Sequence, residues 1–153
     1  MIGTDEIKML ESPVSTVVGT VDATGMPHAS RAWGTWVLDG GRRMRFLVPA
    51  ADTRTAENVR ATGLVAFTGT VVNTLRSVQV KGRNGVVDGP ATGDDRVLHE
   101  RYSNAFFQAV HESDGMDVVA LRNLLPDALV AVEFEVEEVF DQTPGPTAGA
   151  KLS

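Results

Sequence analysis

Hydrophobic and polar positions near the start of the chain alternate with a period of two. Val14, Thr16, Val18 and Thr20 share one face and Ser15, Val17, Gly19 and Val21 the other, so residues 14–21 predict a strand buried on most of both sides. The turn Asp22-Ala-Thr-Gly25 leads into a second strand over 27–38, and Asp39-Gly-Gly41 predicts a hairpin into a third over 43–48. Turns this short predict an antiparallel meander, because parallel crossovers need a dozen or more residues. Residues 64–72 and 75–87 repeat the strand pattern, the second interrupted by Gly82 and Gly85, where a bulge or close backbone approach is expected. A last strand over 128–140 sets Val130, Val132, Phe134 and Val136 against Glu133, Glu135 and Glu137, one buried face and one wet.

Elsewhere the period changes. Ile7 and Leu10 lie three apart behind two acids, which predicts a short helix within 1–12, stopped before Pro13 and serving as a lid. A helix over 52–62 is capped by Asp52 or Thr53, turns Ala56 and Val59 inward and ends at Gly63. The main helix, from about 93 to 113, carries Leu98, Tyr102, Phe106, Ala109 and Val110 opposite Asp95, Glu100 and Glu112. A short helix at 118–125 completes a helical excursion over 93–125, and the Pro- and Gly-rich tail over 142–153 is expected to be irregular. Six strands with these insertions predict a single mainly β domain with flanking helices over 1–153, rolled into a barrel.

Composition narrows the chemistry. A length of 153 residues suits one domain, and 20 acidic against 14 basic residues, a net charge of -6, give no general field to hold a polyanion, so no nucleic acid partner is expected. The absence of cysteine excludes disulfides, thiolate metal sites and cysteine nucleophiles. Residues 1–10 carry Asp5, Glu6 and Lys8 where a signal peptide has an apolar core, and apolar runs are short, so a cytoplasmic protein without a membrane partner is expected. His28, His99 and His111 are scattered, which predicts no metal site, and the chain has no phosphate-binding glycine loop, zinc-protease helix or serine-hydrolase elbow. Asp94-Asp95 and the glutamate row read as a helix start and a solvated strand face.

One constellation carries a mechanism. Asp52-Thr-Arg-Thr55 joins a strand to a helix, so free backbone N–H groups, two hydroxyls and one guanidinium converge at the positive end of a helix, an arrangement that suits a phosphate. An ordinary capped helix with a solvated Arg54 accounts for this segment equally well. Arg31 tips the balance, because a cation inside an otherwise apolar strand requires an anionic partner.

These residues also carry a resemblance. Thr53-Arg-Thr-Ala-Glu-Asn-Val59 resembles the S-R-K-A-x-x-I segment of the pyridoxamine 5'-phosphate oxidase family, the FMN-binding split β-barrels, and follows a matching apolar strand. Arg31 is similar in placement to the family's flavin-phosphate arginine, and Arg76-Ser-Val-Gln-Val-Lys-Gly82 resembles its R-Q-V-x-V-x-G strand. The agreement in order runs over about residues 10–90, some half of the chain.

The resemblance implies a six-stranded antiparallel split barrel that dimerises with FMN at the subunit interface. It implies Arg31, Thr53 and Arg54 as phosphate ligands, with Thr55 in place of a lysine, and the backbone of Ala32, Trp33, Val48 and Pro49 near the flavin. Either Ser77, at the position of the family's glutamine, or Gln79, two residues on and therefore on the same face, reaches the ring. Trp33 and Trp36, three apart, are expected on opposite faces, as pocket walls or as core and interface packing. Trp36 replaces a substrate-binding lysine and the C-terminus lacks the family's R-x-H pair, so oxidation of pyridoxamine phosphate is not expected. The expectation is an FMN-dependent oxidoreductase acting on another small molecule. Two alternatives keep the fold: an F420- or haem-binding barrel, with Arg42-Arg43 and Lys81 with Arg83 as a groove for the F420 tail, or a non-enzymatic flavin-binding or storage protein.

Overall fold

The computed structural model describes residues 1–153. Its strands are β1 (Ser15–Val21), β2 (Pro27–Ser30), β3 (Thr35–Leu38), β4 (Arg43–Pro49), β5 (Val65–Thr70), β6 (Ser77–Pro90) and β7 (Leu129–Asp141). The helices are α1 (Thr4–Leu10), α2 (Thr53–Thr62), α3 (Gly93–Asp114) and α4 (Val118–Leu121), the last continued by a 3-10 turn at Arg122–Leu124. All strands pair antiparallel in one sheet of order β2-β1-β5-β6-β7-β4-β3.

That order corrects the expected meander. The single strand read over 27–38 is two strands, β2 and β3, which stand at opposite ends of the sheet although only four residues separate them in the chain. The sheet therefore curls until its two ends meet, and the meeting line is closed by covalent chain, not by a hydrogen-bond ladder. We call Arg31–Gly34 the seam. Gly34, at φ +133, supplies a backbone conformation that residues with a Cβ rarely adopt. Each half of the barrel holds the seam: the Thr16 hydroxyl of β1 donates to the Ala32 carbonyl at 2.7 Å, and Trp33 N–H donates to Leu47 of β4 at 2.8 Å. Residues 27–38 read as one strand because Ala32 and Trp33 continue its apolar character and Gly34 alone marks the break.

Two apolar clusters result. Inside the barrel Phe46, Phe67 and Phe134 meet with ring centroids 5.7 and 6.0 Å apart, flanked by Val18, Val80 and Val132. Outside it, Trp33 and Leu47 pack under the Tyr102, Phe106, Phe107 and Val110 stripe of α3, and the Tyr102 hydroxyl donates to the Val14 carbonyl at 2.7 Å. The expected irregularity of the sixth strand is present as register shifts at Lys81/Gly82, Arg83/Val86 and Val87/Gly89. The tail turns back so that Lys151 bridges Phe140 and Val139 N–H donates to the Ser153 carbonyl at 2.9 Å. No helix is long and apolar enough to cross a membrane.

Candidate functional site

The start of α2 is built as its sequence suggested, with Asp52 as the cap. The Asp52 carboxylate accepts from the Thr55 backbone at 3.3 Å and the Thr55 hydroxyl at 2.6 Å, and His28 Nε2 of β2 lies 2.9 Å away. Burial would raise the Asp52 pKa, but bonds from Ser30, Thr55 and His28 outweigh it and hold the carboxyl below its ordinary value. Asp52→Ala is expected to cost about 1–2 kcal/mol, the worth of a well-made N-cap, read by chemical denaturation.

This arrangement separates the residues expected to share a phosphate. Thr55 is fully buried with its hydroxyl proton committed to Asp52, so it presents no surface to a ligand. Thr53 and Arg54 are exposed, and Arg54 lines a shallow hollow with Asp22, Glu57 and Asn58 beside the β1–β2 turn. Arg31 has other surroundings. Its guanidinium carbon lies 4.4 Å from the Phe106 ring centroid and 5.1 Å from that of Trp33, under α3. Its charge also reaches Tyr102, whose phenol burial pushes up while Arg31 pulls it partly back. Arg31 Nε and Nη2 are buried without a hydrogen-bond partner in the chain.

The remaining expected residues line the seam and the neighbouring sheet. Ala32 and Trp33 are buried, one in each apolar cluster, and the Ala32 carbonyl and Trp33 N–H are already bonded within the chain. Val48 and Pro49 end β4 opposite Val130 and Leu129 of β7. Ser77 and Gln79 share a face of β6, as expected. Ser77 Oγ bonds Thr70 Oγ1 at 2.8 Å, and the Gln79 amide donates to Thr68 at 3.1 Å, so both are anchored across β5. Of the cations raised as a tail groove, Arg43 pairs with Asp39 and Glu133, Arg83 with Glu137, and Lys81 lies over the Phe140 ring, while Arg42 is exposed and bonds only the Asp39 backbone carbonyl.

Sequence reasoning missed one element, the salt-bridge network around Arg45. The Arg45 guanidinium grips Asp95 through two bonds of 2.9 Å and also reaches Asp88 at 2.6 Å and Glu133 at 2.7 Å. Asp95, read as part of a helix start, and Glu133, read as solvated, are therefore clamped between strands and helix, with the Asp95 side chain 1% exposed. Asp95 also forms a capping box with Thr92 at the start of α3. Partners separated by 43 to 88 residues leave no local pattern to find.

No family model matches the chain, and no curated protein matches it. Solved structures do. HupZ of Group A Streptococcus is 20% identical with a TM-score of 0.59, over 97% of this chain and 100% of that one. A candidate pyridoxamine 5'-phosphate oxidase of Lactobacillus delbrueckii is 19% identical with a TM-score of 0.56, over 91% and 93%. An F420 reductase is 17% identical with a TM-score of 0.52, over 86% and 93%. The chain has the mainly β split-barrel fold of the pyridoxamine 5'-phosphate oxidase-like proteins, with seven strands where the sequence predicted six. At these identities the fold is what is shared.

Proposed function

We propose that the chain is a flavin-dependent oxidoreductase that binds FMN between two copies of itself and acts on a small molecule other than pyridoxamine phosphate. The observation that carries this reading is Arg31. A guanidinium with two buried, unpartnered donors costs stability unless an anion completes it. A flavin phosphate supplies that anion.

When bound, FMN takes up or gives out the electrons of the reaction. The chain's own residues do the rest. Arg31 holds the phosphate, the exposed Arg54 and Thr53 form a second cationic anchor at the start of α2, and Ser77 or Gln79 orients the ring from β6. The absence of cysteine agrees with redox chemistry carried by a cofactor.

Fluorescence titration with FMN and riboflavin tests the reading. Arg31→Gln should weaken FMN binding by roughly 1.5–3 kcal/mol and leave riboflavin unchanged, and Arg54→Ala should do the same. Equal losses for both ligands would remove Arg31 from the phosphate site. A protein that takes up no FMN, and develops a Soret band with haem instead, would overturn the flavin reading. Turnover is read separately, by FMN reduction with NADH and NADPH.

A further inference from the structure

A second hollow, of about 440 Å³, opens between the start of α3 and the loop before β7. Its walls include Pro90, Ala91, Pro126 and Leu129, and its polar groups are Arg96, His99 and Asp127. His99 Nδ1 lies 3.0 Å from the Trp33 carbonyl and 3.3 Å from Ser103 Oγ. A carbonyl only accepts, so Nδ1 carries a proton, and the tautomer this selects has its lone pair on Nε2. With Nδ1 turned to the seam, the opposite edge of the ring faces the hollow. Arg96, one helical turn earlier on the same face, is exposed and pairs with no carboxylate of the chain.

We propose that this hollow binds a small 2-hydroxy monocarboxylate, with Arg96 on the carboxylate and His99 Nε2 accepting from the hydroxyl. A free guanidinium prefers a planar carboxylate, which it can hold through two parallel bonds. An imidazole lone pair that no group of the chain fills suits a hydroxyl donor, and side chains three positions apart on one helix face are close enough for one small ligand to meet both. Asp127 on the rim repels a second carboxylate, so the ligand is a monoacid. The apolar walls take a short hydrocarbon substituent. The site is independent of the flavin reading, and its test is run on protein without FMN.

The test follows the His99 ring signals by NMR while the full chain is titrated with lactate and, separately, with acetate. Lactate should shift them saturably, and acetate, which lacks the hydroxyl, should bind more weakly. Arg96→Gln, a surface change that leaves the fold intact, should weaken lactate by roughly tenfold to a hundredfold, the worth of a charge-assisted hydrogen bond, and Asp127→Asn should tighten it. A His99 signal that lactate does not move, that moves equally in Arg96→Gln, or that acetate moves as strongly would overturn the proposal.

Discussion

Arg45→Met should lower the unfolding free energy by about 3–5 kcal/mol, the largest loss expected from any single surface-adjacent change in this protein. The reason lies in what is left behind. Asp95, with 1% of its side chain exposed, would lose both guanidinium bonds, and Glu133 would keep only Arg43. Two carboxylates would then stand near one another with little to offset their desolvation. The double variant Arg45→Met with Asp95→Leu should recover most of the loss, because the uncompensated charge goes with it. Chemical denaturation of the three proteins measures this, and a loss below about 1 kcal/mol for Arg45→Met would mean that the network is solvated like an ordinary surface pair.

The same network sets a pH dependence. Burial would raise the Asp95 pKa, but the Arg45 and Thr92 bonds outweigh it, so the folded carboxyl titrates below its ordinary value of 3.8. A group depressed in the folded state binds protons more readily when unfolded. Its contribution is fully present above the ordinary carboxylate range and is lost as the pH falls through the folded value. Arg45, pushed upward chiefly by its bond to Asp95, stays charged throughout. The acid limb of the stability curve should therefore shrink in the Asp95→Asn variant.

Gly82→Ala is the second large effect, expected at about 3 kcal/mol, the upper end of overpacking costs. A Cβ on Gly82 would run into the Glu135 carbonyl oxygen and the Phe134 ring. The first obstacle is backbone of β7 and cannot rotate away, so the β6–β7 ladder must open at its bulge. Gly89→Ala on the same strand is a useful control: its Cβ would meet nothing, although its φ of +100 adds backbone strain of its own. Denaturation midpoints rank the two. A Gly82→Ala midpoint at or above that of Gly89→Ala would show that β6 and β7 have room to separate.

The alternating pattern of β1 and the RMRFLV run of β4 were legible because a strand's period is local. Asp52 and Gly63 were equally legible as the ends of α2, since capping acts within a few residues. The break at Arg31–Gly34 was not. It depends on which partner each half of the segment finds, β1 for residues 27–30 and β4 for residues 35–38, and both are tertiary choices. The fate of Arg31 shows the same limit. Its position in an apolar segment marked it as a cation in need of a partner, yet its place under α3 depends on Phe106 some 75 residues later. The bond from the Thr55 hydroxyl to Asp52 was within local reach of the sequence, since it joins residues three apart at one helix start.

The seam has a mechanical consequence. A fully laddered barrel resists widening with every hydrogen bond around its girth, whereas here one line of the wall is a four-residue length of chain pinned by the Thr16 hydroxyl and by Leu47. Compliance is therefore concentrated there. Arg31 and Trp33 ride on the softest part of the wall, so the space between that wall and α3 can adjust without breaking any pairing between strands.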